Sequence, residues 1–355
     1  ARFAEEMTGR KRVGIVGSGP IGLYAALRLS ETHDVVVWER GAVIAANVAS
    51  WGWVKLFSPM AMNVRPGMGF VGDDDAYLEG EDFRTTVLVP LAAALEARGV
   101  QIDLKCRVVA VGRGKLLKGD AIRATGDDRR SGTRFRVVVE RGDTLFYEAC
   151  DVLIDASGTY GNGVCAGAAG VPAPGETEAG NQGLLSRVIP QDVPGTTIVV
   201  VGSGYSAATT LKYLHDQGKT VVWLTRRSNA PYDLMDDDPL PARASLAAFG
   251  NAVANGDIPN FRHVGDAAII GFARRGDGGV DVVVEANDGE AAITADHVYS
   301  LCGYKPDPSL HAELHMHACY ASDGPIALAA TLLGAGGGDC LKQAAPGAAT
   351  LDQPE

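Results

Sequence analysis

The stretch that decides the fold is Arg12-Val-Gly-Ile-Val-Gly-Ser-Gly-Pro-Ile-Gly22, an apolar run followed by three spaced glycines. The apolar residues predict a short buried strand, and the apolar positions of residues 20–30 predict a helix that begins at the glycines. A second strand is predicted at 35–38, and Glu39 ends it 22 residues after Gly17. A strand, a Gly-x-Gly-x-x-Gly turn, a helix and a strand ending in an acid form the fingerprint of a nucleotide-binding βαβ unit.

The residues of this motif have distinct expected roles. Gly17 would make the tight turn, Gly19 would let the backbone approach a pyrophosphate at the helix N-terminus, and Gly22 would let helix and strand pack closely. Glu39 would accept hydrogen bonds from a ribose diol; the alternative is a glycine-rich turn without a ligand. The predicted cofactor contacts of this first motif are Gly17, Ser18, Gly19, Pro20, Ile21, Gly22, Glu39 and Arg40.

The same pattern restarts 185 residues later, at a second glycine turn between strands predicted at 197–201 and 220–224. Arg226 and Arg227 stand where an acid would serve NAD. A guanidinium pairs with a 2′-phosphate, whereas a carboxylate repels it, so we expect NADPH here. The alternative is two solvated arginines with dual or NADH specificity. The predicted contacts of this second motif are Gly202, Ser203, Gly204, Tyr205, Ser206, Ala207, Arg226 and Arg227.

Composition narrows the class of protein. A chain of 355 residues with 46% hydrophobic content is long enough for about two domains. The net charge of −11 argues against nucleic acid or an anionic membrane as a partner. With neither a signal peptide nor an apolar run long enough to span a bilayer, a cytoplasmic protein is expected. None of the six cysteines forms a C-x-x-C pair, which disfavours a zinc ribbon or a dithiol of that spacing.

Two such units in one chain, the first with an acid and the second with arginines, resemble the flavoproteins with two dinucleotide-binding domains. That group includes thioredoxin-reductase-like enzymes and flavin-containing monooxygenases. Asp155-Ala-Ser-Gly158 resembles the turn at which the chain leaves the FAD domain, and Leu301-Cys-Gly-Tyr-Lys-Pro306 resembles its counterpart on the return. The resemblance covers roughly residues 12–310. It implies FAD on the first unit, NADPH on the second, and further cofactor contacts from Val108, Ala156, Gly158 and Gly303.

The predicted fold is α/β, with two Rossmann-like dinucleotide-binding domains and the NADPH domain inserted in the FAD domain. The FAD domain is predicted at 11–190 and 302–355, and the NADPH domain at 195–301. Members of the group end with a strand, a Gly-Asp turn and a helix that complete the FAD site. Gly338-Asp339 follows a glycine run instead of an apolar strand. We therefore expect that closing segment to lie beyond Glu355 or to be absent.

The second glycine turn resembles the Gly-x-Gly-x-Ser-Ala/Gly form of the monooxygenase branch, and residues 180–197 lack the Baeyer–Villiger fingerprint. The resemblance thus implies an oxidoreductase that takes hydride from NADPH and oxygenates a small organic substrate with O2 through a flavin peroxide. Two alternatives stay open: a flavin reductase or dehydrogenase without oxygen insertion, and a non-catalytic nucleotide sensor. A homodimer is the oligomeric form considered.

The segment 51–59 would run beside the flavin ring. Lys55 and Ser58 are the catalytic candidates, as donors to the N5 atom or the N1/O2 edge of the ring. For Lys55 the alternative is a surface lysine on an aromatic loop. Further candidates for the ring's surroundings are Trp51, Trp53, Phe57, Asn63 and Arg65.

Three other features have both a functional and a purely structural interpretation. The loop from Tyr232 to Arg243 would cover the nicotinamide or a substrate, or be an ordinary acidic loop. His311 and His315 have helical spacing and His317 lies nearby, but no acid or cysteine is placed to complete a site, so no metal is predicted. Cys165 is expected to be an unreactive thiol.

Overall fold

A computed structural model describes residues 9–122, 126–188, 192–228, 232–235, 238–286 and 289–334. The strands are β1 (Arg12–Val16), β2 (Asp34–Trp38), β3 (Gln101–Asp103), β4 (Cys106–Arg113), β5 (Phe135–Arg141), β6 (Thr144–Cys150), β7 (Val152–Asp155), β8 (Leu185–Ser186), β9 (Thr197–Val201), β10 (Thr220–Leu224), β11 (Phe261–Val264), β12 (Ala268–Arg274), β13 (Val280–Ala286), β14 (Gly289–Ala295) and β15 (His297–Ser300). The α-helices are α1 (Pro20–Leu29), α2 (Ala46–Ala49), α3 (Met60–Asn63), α4 (Gly80–Phe83), α5 (Val89–Ala97), α6 (Glu176–Asn181), α7 (Tyr205–Asp216), α8 (Pro241–Ala254) and α9 (Ile326–Gly334). A π-helical turn (Arg84–Leu88) joins α4 to α5, and short 3-10 turns lie at Ala168–Gly170 and Pro308–His311.

The first unit has three layers around the parallel sheet β3-β2-β1-β7. Side chains of a strand alternate between the two faces of its sheet. Val13 and Ile15 of β1 therefore pack with Leu23 of α1 and Leu91 of α5. On the other face, the side chains that pack against the antiparallel sheet β4-β5-β6 include Val16, Val36 and Trp38.

The second unit repeats this plan around the parallel sheet β11-β10-β9-β15-β8. Ile198 and Val200 of β9 face α7 and α8, where they pack with Leu211 and Val253. Residues of the opposite face, including Val199, pack against the antiparallel sheet β12-β13-β14. The predicted α/β class with two Rossmann-like units is confirmed.

The crossing between the units differs from the predicted boundary at residue 190. β8 pairs with β15 in the second sheet, and the Phe272 amide donates to the Pro174 carbonyl at 2.8 Å. Ala173, Ala179 and Leu185 bury their side chains in the core beneath the second sheet. These contacts place residues 173–186 with the second unit, and Ala166 is buried in the same core. We propose 11–165 for the first segment of the first unit.

The chain returns to the first unit after β15. Leu310 and Leu314 pack in the same cluster as Val16 and Trp38, which places the return segment beside β4. Within the described part of the chain, β7 pairs with β1 alone. The Gly338-Asp339 pair lies outside the described residues.

Candidate functional site: two glycine turns and a cavity

The two crossing segments meet in a short antiparallel ribbon between the units. Gly163 is paired with Tyr304, the Val164 amide donates to the Gly303 carbonyl at 2.9 Å, and the Tyr304 hydroxyl donates to the Arg187 carbonyl at 2.7 Å. The turns at Ala156 and Leu301, which the sequence singled out as crossings, thus lie on either side of one ribbon. The Ala156 carbonyl lies against Gly17 of the first glycine turn, and the Leu301 carbonyl lies against Gly202 of the second.

A cavity of about 320 Å3 opens at the carboxyl end of β1. This is the end of a parallel sheet at which ligands bind in open α/β folds. The predicted cofactor residues that line it are Gly17, Gly19, Pro20, Ile21, Glu39, Arg40, Val108, Ala156 and Gly158. Ser18 and Gly22 lie behind the wall, where both are buried.

The three glycines of the first turn meet different surroundings. Gly17 has φ +100°, and a Cβ there would lie 2.6 Å from the Ala156 carbonyl oxygen. A Cβ on Gly22 would lie 2.0 Å from the Gly17 carbonyl oxygen. A Cβ on Gly19 would meet no atom within 4 Å. Packing of the protein itself therefore requires Gly17 and Gly22, whereas Gly19 leaves open space on the cavity side.

The Glu39 carboxylate holds the glycine turn in place. Its Oε2 accepts hydrogen bonds from the Ser18 amide at 2.9 Å and the Ser18 hydroxyl at 2.7 Å, and its Oε1 accepts from the Gly41 amide at 2.6 Å. The Ser18 hydroxyl oxygen in turn accepts from the Ala45 amide at 3.0 Å. Glu39 is 8% exposed and still reaches the cavity wall, so it links the turn to the loop that follows β2.

Sequence reasoning missed part of this wall. Tyr160 stacks on Trp51 with ring centroids 6.2 Å apart and lies 4.8 Å from the Tyr304 ring, and burial raises the pKa of its hydroxyl. Asn162 follows it in the wall and donates its amide to the Pro306 carbonyl at 3.0 Å. The return segment adds Asp307, Ser309 and Leu310. The sequence signal that could have identified these wall residues is their position directly after the two crossing motifs.

The second glycine turn repeats the geometry of the first. Gly202 has φ +113°, and a Cβ there would lie 2.3 Å from the Leu301 carbonyl oxygen, whereas a Cβ on Gly204 would meet nothing within 4 Å. Arg226 and Arg227 follow β10 with exposed side chains. The sequence motif is therefore folded as predicted, with open space at its middle glycine.

A tyrosine covers this second turn. The Tyr232 hydroxyl donates to the Gly204 carbonyl at 2.9 Å, and its ring lies 5.3 Å from that of Tyr205. Burial raises the pKa of Tyr232. The Asn251 side-chain amide of α8 donates to the Tyr232 carbonyl at 2.8 Å. The loop expected to cover a ligand thus contacts the glycine turn through Tyr232.

The end of that loop is not an ordinary solvated acidic segment. The side chains of Asp238 and Arg243 form an ion pair at 2.7 Å and are only 4% and 12% exposed. Asp236 and Asp237 lie outside the described residues.

Lys55 and Ser58 lie away from the lining of the 320 Å3 cavity. Lys55 is exposed and its backbone pairs with that of Glu79. The Ser58 hydroxyl donates to Asn63 Oδ1 at 3.1 Å. Their flavin roles, and those of Asn63 and Arg65, stay predictions.

The aromatic residues of segment 51–59 divide between the two units. Trp51 lines the cavity, as expected for a wall of the ring. Trp53 instead packs on Tyr213 of α7, with ring centroids 4.5 Å apart, and Phe57 contacts Tyr205 at 6.0 Å. This segment therefore joins the first unit to the second glycine turn.

Within the described ranges, no cluster of three or more His, Cys, Asp or Glu side chains is arranged to hold a metal ion. His315 uses its ring Nε2 in a hydrogen bond to the Lys118 carbonyl. Among those same residues, every helix is too short or too polar to cross a bilayer.

The chain resembles known proteins in the sequence of its first glycine motif and in its overall fold. Residues 15–54 match the family described as NAD(P)-binding Rossmann-like domain. The chain resembles bacillithiol disulfide reductase Bdr from Bacillus cereus with a TM-score of 0.66 and 18% identity, covering 89% of this chain and 85% of that one. An ornithine N-hydroxylase from Kutzneria sp. 744 gives 0.60 and 16%, covering 88% and 86%. A flavin monooxygenase variant from Stenotrophomonas maltophilia gives 0.58 and 19%, covering 89% and 84%.

The chain has the fold of these enzymes. Each match covers both units, so the resemblance inferred from the two glycine motifs is confirmed at the level of the fold. No curated protein matches the chain by sequence. The three neighbouring proteins are named for different reactions. The similarity of this chain to them is therefore a similarity of fold alone.

Proposed function

We propose that the chain is an FAD-dependent oxidoreductase that is reduced by NADPH. The observation that carries this proposal is the pair of glycine turns, in each of which the middle glycine, Gly19 or Gly204, faces open space. Two dinucleotides bound at these turns would place a nicotinamide and a flavin in one molecule. The Kutzneria hydroxylase, which shares the fold, was solved with reduced FAD, NADP+ and L-ornithine.

The first turn and its cavity fit FAD. The N-terminus of α1 would receive the pyrophosphate beside Gly19, since the positive end of a helix and close backbone approach favour an anion. Glu39 and Arg40 would lie near the adenosine ribose, and Val108 would contact the adenine. Trp51 and Tyr160 form an aromatic wall on the same cavity.

The second turn fits NADPH. The pyrophosphate would lie beside Gly204 at the N-terminus of α7, and the 2′-phosphate would pair with Arg226 or Arg227 at the end of β10. Tyr232 covers the turn, because its hydroxyl donates a hydrogen bond to the Gly204 carbonyl. The Tyr232 side chain would therefore have to move if a dinucleotide occupied the space beside Gly204.

Within this class we propose a monooxygenase that oxygenates a small organic substrate. When bound, FAD would accept hydride from NADPH and would then react with O2. The Gly-x-Gly-x-Ser-Ala form of the second motif supports this choice. The hydroxylase and the monooxygenase among the structural neighbours also support it.

The second candidate is an NADPH-dependent reductase or dehydrogenase that inserts no oxygen. Bacillithiol disulfide reductase, with a TM-score of 0.66, favours this reading. It requires the same FAD and NADPH sites and differs only in what accepts the electrons.

A spectroscopic titration tests whether the chain binds FAD and whether NADPH reduces the bound flavin. The purified chain, reconstituted with FAD, is mixed with NADPH or NADH in the absence of oxygen, and the oxidised flavin band is followed. We expect bleaching that is faster with NADPH. Colourless protein that FAD cannot reconstitute would overturn the proposal.

The acceptor is then compared in a second step. Air or an aromatic disulfide is added to the reduced protein. Fast reoxidation by O2 supports the monooxygenase, whereas slow reaction with O2 and fast reduction of the disulfide supports the reductase.

A further inference from the structure

Part of the wall of the 320 Å3 cavity comes from the segment that returns from the second unit. Asp307, Ser309 and Leu310 of this segment line the cavity. Leu310 packs in one buried cluster with Trp38 of β2 and Cys106 of β4, which also line the cavity. These contacts place the return segment beside the end of β2 and the start of β4.

The adenine of a bound FAD would lie in this part of the cavity. Glu39, which directly follows β2 and would lie near the adenosine ribose, is part of the same wall. Val108 of β4, which would contact the adenine, also lines the cavity and packs against the cluster that contains Leu310. The base would therefore lie between β4 and the return segment.

Hydrogen bonds hold the return segment on both sides of its short 3-10 turn. The Asn162 side-chain amide donates to the Pro306 carbonyl at 3.0 Å, before the turn. Lys118 Nζ donates to the Ala312 carbonyl at 2.6 Å, after the turn. A wall that is held in this way needs little further ordering when a ligand binds, which favours affinity.

Asp307 brings a carboxylate to this wall. Its Oδ1 accepts a hydrogen bond from the Ser309 amide at 3.0 Å and so caps the 3-10 turn. Hydrogen bonds from the Ser309 side chain and amide, together with the nearby Arg107 guanidinium, lower the pKa of Asp307 from 3.8. An ionised carboxylate has about four acceptor positions and no donor, so acceptor capacity remains for a donor in the cavity.

We propose that Asp307 recognises the adenine of FAD by accepting a hydrogen bond from its 6-amino group. Adenine presents an amino donor at this position, whereas guanine and hypoxanthine present a carbonyl oxygen. A carboxylate pairs with the donor and repels the oxygen. Asp307 is therefore a specificity-determining residue for the base of the dinucleotide. This inference rests on the proposed binding of FAD at the first glycine turn.

The test compares two flavins that differ at one position of the base. The full chain is titrated with FAD and with flavin hypoxanthine dinucleotide, in which oxygen replaces the 6-amino group, and binding is followed by the change in flavin fluorescence. We expect FAD to bind about tenfold or more tightly, because a hydrogen bond to a charged group would be lost and an acceptor would face the carboxylate.

Asp307→Asn tests the residue itself. The side-chain carbonyl of asparagine can still accept from the Ser309 amide, so the cap of the turn is retained. The asparagine amide would donate to the oxygen of hypoxanthine, so the preference for FAD should be lost or reversed. Asp323→Asn is the matched control, because Asp323 pairs with Lys305 at 3.6 Å in the return segment and lies away from the cavity lining. It should keep the preference of the unmodified chain.

The possible failures separate the two proposals. Equal affinity of the unmodified chain for the two flavins would overturn the role of Asp307 and leave the FAD site intact. The same conclusion would follow if Asp307→Asn bound both flavins more weakly by the same factor. Failure to bind either flavin would overturn the proposed function and this inference with it. Circular dichroism shows whether Asp307→Asn is folded; if it is not, Asp307→Ser, whose hydroxyl can also cap the turn, repeats the comparison.

Discussion

Gly19 and Gly22 belong to one six-residue turn, yet different parts of the molecule require them. Gly22 must lack a side chain because the Gly17 carbonyl oxygen occupies the space a Cβ would need. Gly19 has an extended backbone, with φ −70° and ψ −179°, that any residue can adopt, and its missing Cβ faces empty space. The fold therefore explains Gly22, whereas a dinucleotide bound in the cavity, as we propose, would explain Gly19.

Substitution of these two glycines should separate folding from binding. We expect Gly19→Ala to change the free energy of unfolding of the FAD-free protein by less than about 0.5 kcal/mol while flavin content falls sharply, because the methyl group enters the pyrophosphate site. Gly22→Ala should destabilise the protein by about 1–3 kcal/mol through overpacking. Urea unfolding and flavin absorbance measure the two effects. Normal flavin content in Gly19→Ala would contradict the assignment.

Arg226 and Arg227 should set the preference between NADPH and NADH. An arginine paired with a phosphate contributes about 1.5–3 kcal/mol, so Arg226→Ala combined with Arg227→Ala should weaken NADPH binding by about tenfold or more. Binding of NADH should change little, because it lacks the 2′-phosphate. Fluorescence titration with both nucleotides measures the change, with Arg274→Ala, an exposed arginine of β12, as the matched control. Equal losses for both nucleotides would argue against a phosphate contact.

At the scale of elements, the second sheet extends to a short strand that the sequence did not reveal. β8 has only two residues, and it is held to β15 by backbone pairing and by the His297 ring, which contacts the Ser186 hydroxyl at 3.1 Å. His297 is 3% exposed, and burial lowers its pKa from 6.5. The neutral ring is therefore the form compatible with this strand pair.

The second unit should lose stability as the pH falls below about 6.5. In that range the unfolded chain binds a proton at His297 and the folded chain does not, so the free energy of unfolding falls by up to about 1.4 kcal/mol per pH unit for this residue. Urea unfolding between pH 7.5 and 5.5 measures the slope. His297→Gln should reduce the slope, whereas His317→Gln, at an exposed site, should not. An identical slope in all three proteins would contradict the role of His297.

At the scale of the whole molecule, aromatic contacts join the two units. Trp53 of the first unit lies 4.5 Å from Tyr213 and packs into the core of the second unit. Phe57 contacts Tyr205, the first residue of α7. One loop of the first unit therefore rests on the helix that begins at the second glycine turn.

Removal of Trp53 should weaken the coupling between the units. Trp53→Ala should destabilise the protein by about 1–3 kcal/mol through lost apolar burial and broaden or split the thermal transition. Trp53→Phe retains an aromatic ring and should behave closer to the unmodified protein. Differential scanning calorimetry measures both. A single sharp transition with an unchanged midpoint in Trp53→Ala would show that this contact does not couple the units.

The sequence by itself determined the two βαβ units and the α/β class. These features depend on local periodicity and on glycines at fixed spacing, which adjacent residues specify. The same local signals identified part of the cavity wall, including Gly19 and Glu39, and the family resemblance added Val108. Glu39 was expected to meet a ribose, and the structure adds that its carboxylate holds Ser18 and Gly41.

Only the tertiary structure decided the features that arise from contacts distant in sequence. α8 was not predicted because its buried face is made of small residues such as Gly250, whose missing Cβ makes room for the Tyr232 ring. β8 is a strand only because β15 lies beside it. The pairing of Gly163 with Tyr304 depends on two crossing segments that the chain brings together after a whole inserted unit. Such contacts follow from how the units pack, and no local pattern of residues encodes that packing.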